Sequence, residues 1–126
     1  MFNYVKKVIV DNYANFGGRA SRSEFWYFFL FNILLSTVFY LLGLVLALNE
    51  AYSVSAVMYG ISSVIGLALL IPGIAVGVRR LHDTGRSGWW WFINFIPCGI
   101  GTIWFIILAC TESQPQENEY GPVPQD

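Results

Sequence analysis

The chain has 126 residues and a formal net charge of −1 at pH 7, with 56% hydrophobic and 12% charged residues. Ordinary soluble domains carry about 25% charged residues, and a chain this short cannot bury so many large apolar side chains in a water-soluble core. The composition therefore indicates an integral membrane protein whose apolar excess faces lipid, and the near-neutral charge gives no signal for an acidic partner such as nucleic acid.

The first element is residues 1–18, for which we predict an amphipathic helix lying in the membrane interface. Phe2, Val5 and Ile9 recur at spacings of three and four and would face the acyl chains. Lys6 and Lys7 would face the lipid head groups. A frayed N-terminus is the alternative interpretation.

Three uncharged runs follow, at about 25–48, 54–78 and 89–110, within a predicted membrane domain 19–110. As helices they would extend about 33 Å or more, enough to cross a hydrocarbon core of about 30 Å. The sequence therefore predicts an all-α integral membrane protein with three transmembrane helices plus the N-terminal interfacial helix.

Local signals refine these spans. Ser21 to Glu24 matches a capping box at the start of the first span. Pro97 to Gly101 should bend the third span near mid-membrane, either as a packing kink or as part of a binding site. Gly73 and Gly77 form a G-x-x-x-G pattern, which favours close helix packing within the chain or in a homo-oligomer.

The basic residues predict the orientation. All seven precede the first span or lie between the second and third spans, and the other segments contain none. By the positive-inside rule, the N-terminus and the loop after Val78 are cytoplasmic, while the turn at Asn49 and the acidic tail 111–126 lie outside. The tail contains three prolines and no basic residue, and we expect it to be disordered.

This topology brings residues 19–24 and 79–88 to one interface, which is the candidate functional site. Its charged members are Arg19, Arg22, Arg79, Arg80, Arg86, Glu24 and Asp83, together with the one histidine, His82. A structural interpretation pairs Glu24 with Arg79 or Arg80, and Asp83 with Arg19 or Arg22. A functional interpretation assigns the surplus guanidinium groups of the five arginines to anionic lipid head groups or to a protein partner.

Two further hypotheses stay open. A lipid-modifying enzyme would use His82 with Asp83 and a serine nucleophile. A small transporter or channel subunit would use the polar stripe around Asn94, although we predict that Asn94 and Asn32 hydrogen-bond to each other between helices. One histidine and two apolar-segment cysteines do not make a metal site. We assign no catalytic residue, metal or cofactor.

Three motifs in order carry a family resemblance: FGGRASRSEFW at 16–26, VRRLHDTGRSGWW at 78–90 and NEYGP at 118–122. They resemble the bacterial inner-membrane family DUF 805, a domain of unknown function. The resemblance implies a small polytopic protein of the bacterial inner (cytoplasmic) membrane, with no activity to transfer. The NEYGP motif also suggests that the tail folds back on the outer surface. We therefore expect a non-enzymatic membrane scaffold or binding module.

Overall fold

The computed structural model describes residues 2–124, which form α-helices, one π-helical turn and one 3-10 helix. Their order is α1 Phe2–Lys6, the π-helical turn Lys7–Asp11, α2 Arg22–Leu48, α3 Tyr52–Asp83, the 3-10 helix Gly88–Phe95 and α4 Ile100–Cys110. Within this range the only β-type pairing is an isolated bridge between Asn118 and Gly121. The predicted all-α class is confirmed for the described part of the chain.

Helices α2 and α3 form an antiparallel hairpin and are both long and apolar enough to cross a membrane. They have 27 and 32 residues, which corresponds to about 40 and 48 Å. Only 6% of the most apolar window of α2 and 22% of that of α3 are buried. Because a core helix of a soluble protein would be mostly buried, these surfaces are suited to lipid.

The predicted third span, 89–110, is not one helix. The 3-10 helix Gly88–Phe95 and α4 pack against each other and run in opposite directions. The chain reverses between them, where Cys98 and Gly99 adopt positive φ angles of 64° and 74°. Pro97 cannot donate a helical hydrogen bond, so the helix breaks there. With 11 residues, α4 is only about 16 Å long and too short to span the bilayer alone.

The hairpin made by the 3-10 helix and α4 is closed by a glycine contact. A Cβ atom on Gly101 would lie 1.6 Å from the carbonyl oxygen of Ile93, so only glycine permits this approach. Both ends of the hairpin consequently lie at the same end of the molecule, which is also the end where α2 begins and α3 ends.

The N-terminal helix is shorter than predicted, since it ends at Asp11 rather than Gly18. Val5 and Val8 are buried inside the protein, and the hydroxyl of Tyr13 donates to the carbonyl of Ala68 on α3 at 2.6 Å. The segment therefore docks on the α2–α3 hairpin through part of its apolar face. Met1 and the last two residues of the predicted tail lie outside the described residues.

Candidate functional site

Three separated segments meet at the end of α3. The amide of Ala20 donates to the carbonyl of Arg79 at 3.0 Å, which fixes the entry into α2 beside the last turn of α3. Ser21 then caps α2 by accepting from the amide of Glu24 at 3.1 Å, which is one half of the predicted capping box. The Glu24 carboxylate does not reach back to the start of the helix but pairs with Arg79. The chain after α4 forms the third segment. We call the charged side chains enclosed here, Arg19, Glu24, Arg79, Arg80 and Asp83, the buried ion network.

Asp83 lies at the centre of this network and is fully buried. One carboxylate oxygen accepts from Nε of Arg19 at 2.9 Å, and the other accepts from Arg80 and from the hydroxyl of Ser113. Because a buried carboxylate is tolerated only when it is paired and hydrogen-bonded, Asp83 holds both arginines in place.

Arg19 connects Asp83 to the tail. Its guanidinium donates to the carbonyl oxygens of Gln114 at 2.8 Å, Gln116 at 2.8 Å and Gly121 at 3.2 Å. Five donors in a planar fork suit such a set of acceptors. The Arg19 side chain is 1% exposed, so it organises the fold of the tail around itself.

Arg80 is completely buried and reaches the end of α4. It donates to the carbonyls of Ala20 at 3.0 Å and Ala109 at 2.8 Å, and also to that of Thr111. The last carbonyls of a helix have no partners within the helix. Arg80 thus caps α4 as well as pairing with Asp83.

Glu24 and Arg79 form the second buried pair, with Nη1 and Oε1 2.5 Å apart. Lys7 Nζ lies 3.5 Å from the other carboxylate oxygen of Glu24. Among the described residues, Arg79 Nε and Nη2 and Glu24 Oε2 make no hydrogen bond. The structure therefore forms both of the pairings that the sequence analysis named first, Glu24 with Arg79 and Asp83 with Arg19.

His82 takes no part in a dyad with Asp83. Its Nδ1 lies 2.9 Å from the carbonyl of Gly18, and its ring stacks on Tyr120 with 3.9 Å between centroids. The side-chain amide of Asn118 donates to the backbone carbonyl of His82 at 2.9 Å. Partial burial is the largest cause that raises the pKa of the Tyr120 hydroxyl above its ordinary value of 10.0. The hydrogen bond with Glu119 and the negative charge of Glu119 raise it further.

The tail is not disordered and does not lie away from the arginines. Residues between Thr111 and Gly121 contact the buried ion network, and the Asn118–Gly121 bridge closes a small turn there. The structure therefore places the tail at the same end of the molecule as the arginines, whereas the sequence analysis expected it on the opposite side. The physical reason is the reversal at Pro97–Gly99, which returns α4 to its starting side.

The two remaining arginines of the cluster are not in the network. Arg22 is exposed and Arg86 is half-buried. Arg22 stands at the edge of an open groove of about 440 Å³, which we call the Arg22 groove; it is lined by Arg22, Ser23, Trp26, Tyr27 and Leu30. A basic group is thus placed directly above aromatic and aliphatic side chains.

Asn32 and Asn94 face a second cavity, of about 320 Å³, which we call the aromatic cavity. It lies between α2, α3 and the 3-10 helix–α4 hairpin. The Asn94 amide donates to the carbonyl of Trp91 at 2.7 Å, and no hydrogen bond joins it to Asn32 within residues 2–124. The predicted contact between the two asparagines is therefore absent, because Asn94 is in the 3-10 helix rather than in a spanning helix.

Sequence reasoning missed the residues of the tail that complete the site. Ser113, Asn118 and Tyr120 contact Asp83 or His82, and three tail carbonyls bind Arg19. The NEYGP motif at 118–122 was the available signal. In the described part of the chain, no group of three or more His, Cys, Asp or Glu side chains is arranged to hold a metal ion.

Two membrane-capable helices with apolar outer surfaces, closed at one end by a polar network, define an all-helical membrane protein. The chain belongs to the family described as Protein of unknown function (DUF805), whose profile matches residues 13–122. The resemblance in the three sequence motifs is thereby confirmed.

Two relatives from Escherichia coli (strain K12) are similar along almost their whole length. Inner membrane protein YhaH is 38% identical over 117 residues, which cover 93% of this chain and 93% of that protein. Inner membrane protein YhaI is 36% identical over 117 residues, which cover 93% of this chain and 92% of that protein. No solved structure matches the chain significantly.

Proposed function

We propose that this is a non-enzymatic inner-membrane protein that holds an anionic phospholipid at the Arg22 groove. Helices α2 and α3 cross the membrane, and the N-terminus, the loop after Asp83 and the tail all lie on the cytoplasmic side. The names of the relatives and the one-sided distribution of basic residues support this placement. The 3-10 helix and α4 then form a re-entrant hairpin, whose reversal at residues 95–100 is exposed at its tip.

The observation that carries the proposal is the contrast between Arg22 and its buried neighbours. Arg19, Arg79 and Arg80 are enclosed and paired, so they are unsuited to an external ligand. Arg22 is exposed in the first turn of α2, where backbone amides and the helix dipole also favour a negative charge. A phosphate at Arg22 would leave its acyl chains against Trp26 and Leu30.

The aromatic rings and the basic residue next to the Arg22 groove also suit a phospholipid head group. Tyr4 of α1 stacks on Tyr27 at 5.2 Å and fixes one wall of the groove. Tyrosine and tryptophan rings prefer the depth of the head groups. Lys6, exposed on the adjacent helix, adds a second positive charge near the membrane surface.

The geometry gives no support to the lipid-modifying enzyme. That hypothesis required Asp83 to orient His82, but Asp83 accepts from Arg19, Arg80 and Ser113, while the His82 ring is held by Gly18 and Tyr120. The binding function is therefore preferred over an acid–base function at this histidine.

Native mass spectrometry of the protein released from its membrane in mild detergent tests the proposal. We expect wild type to retain an anionic phospholipid and Arg22→Glu to lose at least nine-tenths of it, roughly the effect of losing one charge-assisted contact. Arg86→Glu makes the same charge change outside the groove and should retain the lipid. Equal retention by Arg22→Glu and wild type, or equal loss in both variants, would reject the Arg22 groove.

A further inference from the structure

The aromatic cavity shares only Trp26 with the Arg22 groove and lies deeper along the helices. It has a volume of about 320 Å³, within the range of about 300 to 1,000 Å³ typical of small-molecule sites. Six of its fifteen lining residues carry aromatic rings, namely Phe25, Trp26, Phe28, Phe29, Trp91 and Phe105. Flat rings are the partners that such walls stack against most favourably.

Polar groups converge on this cavity from three different elements. Asn32 comes from α2, Asn94 from the 3-10 helix and Thr102 from α4. Within residues 2–124, Asn32 makes no side-chain hydrogen bond, and Asn94 uses one donor on Trp91. Unsatisfied amide groups are costly at membrane depth, where water is scarce. Their free donors match a ligand that carries carbonyl acceptors.

These features together define the chemistry of the occupant. An acyl chain has no acceptor at this depth and no ring to stack, whereas a quinone has a flat ring, carbonyl oxygens and a long apolar tail. Leu70 and Ile106, which line the cavity, are 52% and 40% exposed, so the cavity is open to a tail that extends into lipid. We infer that the aromatic cavity binds the ring of a membrane quinone.

The chain offers a matched pair of variants that fill the cavity or leave it empty. Gly66 lines the cavity, and a Cβ atom built on it meets no atom within 4 Å, so Gly66→Leu places a side chain in the free space. Gly60 is equally unobstructed on α3 but does not line the cavity. Leucine favours a helix more than glycine does, so neither change should weaken α3.

The experiment measures quenching of tryptophan fluorescence in nanodiscs as a decyl-substituted benzoquinone is added. Trp26 and Trp91 line the cavity and report its occupation. We expect saturable quenching in wild type and in Gly60→Leu, and an affinity at least tenfold weaker in Gly66→Leu. Asn32→Leu and Asn94→Leu keep the side-chain size, remove the donors and should each weaken binding several-fold.

Two results would overturn the quinone assignment. One is binding by Gly66→Leu within twofold of wild type, because it would place the quinone elsewhere. The other is equal competition by decylbenzene, which has the ring and tail without carbonyls and would show that the cavity accepts any apolar molecule. Far-ultraviolet circular dichroism of each variant checks folding, and the asparagine variants decide the matter if Gly66→Leu does not fold.

Discussion

The two ends of the α2–α3 hairpin are joined by different kinds of contact. At the polar end, ion pairs connect residues 55 and 64 positions apart, Glu24 with Arg79 and Arg19 with Asp83. At the opposite end, a short turn joins the helices, and the hydroxyl of Ser55 donates to the carbonyl of Gly43 at 2.7 Å, only 12 positions away.

In a small membrane protein, a few contacts determine how the helices pack. Apolar helix surfaces gain little from contact with one another when lipid is equally apolar, so defined geometry depends on polar contacts and on close packing of small residues. The polar end uses buried ion pairs, whereas the turn end combines one hydrogen bond with the close packing of Gly43 against the Tyr59 ring. Substitutions at the two ends should therefore differ in size and in mechanism.

The largest effect is expected for Asp83→Asn. Asparagine keeps one acceptor oxygen but replaces the other by an NH2 donor, and both carboxylate oxygens of Asp83 accept from buried arginines. One arginine therefore loses its acceptor and both lose the negative charge, which should cost about 3 to 5 kcal/mol of unfolding free energy. Unfolding in detergent micelles, followed by helical circular dichroism, measures the loss. Glu117→Gln, an exposed carboxylate on the tail, is the control; a similar stability of the two variants would show that the network is not the stabilising feature.

A smaller loss is expected for Glu24→Gln. The amide oxygen can still accept from Arg79, so the variant loses a charged hydrogen bond rather than its whole partner, at about 1.5 to 3 kcal/mol. The same unfolding assay applies. Lys7→Gln removes a contact of 3.5 Å from a half-buried lysine and should cost under about 1 kcal/mol. Equal costs for both variants would contradict the ranking of the two contacts.

How far the sequence predicts this structure depends on the range of the interactions involved. The existence and type of α2 and α3 follow from long uncharged runs and the capping box at Ser21. The break in 89–110 was signalled by Pro97 and Gly99, but whether a broken segment crosses or returns depends on tertiary contacts such as Gly101 against Ile93.

For the candidate site, the residue types indicated which charged side chains pair, but not which arginines are buried. Because Arg19 and Arg22 carry the same charge, the sequence indicated the same ligand-binding role for both. In the structure Arg19 is enclosed by the tail, whereas Arg22 is exposed. The acceptors of Arg19 are backbone carbonyls, which every residue possesses and no composition reveals. The NEYGP motif indicated that the tail folds back, but the acidic, proline-rich sequence did not reveal which carbonyls bind Arg19.

At the turn end, Gly43→Ala tests close packing. A Cβ atom on Gly43 would lie 2.6 Å from the ring of Tyr59, so the helices must separate or the ring must move, at about 1 to 3 kcal/mol. Gly60→Ala lies in open space on α3 and should stabilise the helix by up to about 1 kcal/mol. Thermal unfolding of both variants tests the prediction, and stabilisation by both would show that the Gly43 contact is unimportant.

The smallest effect is expected for Tyr120→Ala, which removes the ring stacked on His82. Aromatic pairs contribute about 0.5 to 1.5 kcal/mol, so local opening of the tail should become roughly two- to tenfold more frequent. Amide hydrogen exchange across 112–121 measures this opening. Val123→Ala, at an exposed position, should leave exchange unchanged, and unchanged exchange in Tyr120→Ala would show that the stacking does not hold the tail.

The acceptors of Arg80 at the end of α4 also have a consequence for biogenesis. Ala109 and Thr111 are made 29 and 31 residues after Arg80, which is about 1.5 to 6 s later at ordinary rates of translation. During that interval Ala20 and Asp83 can already accept from Arg80, but the carbonyls of Ala109 and Thr111 do not yet exist. The polar end of the α2–α3 hairpin can therefore be completed only after residues 109–111 have been synthesised.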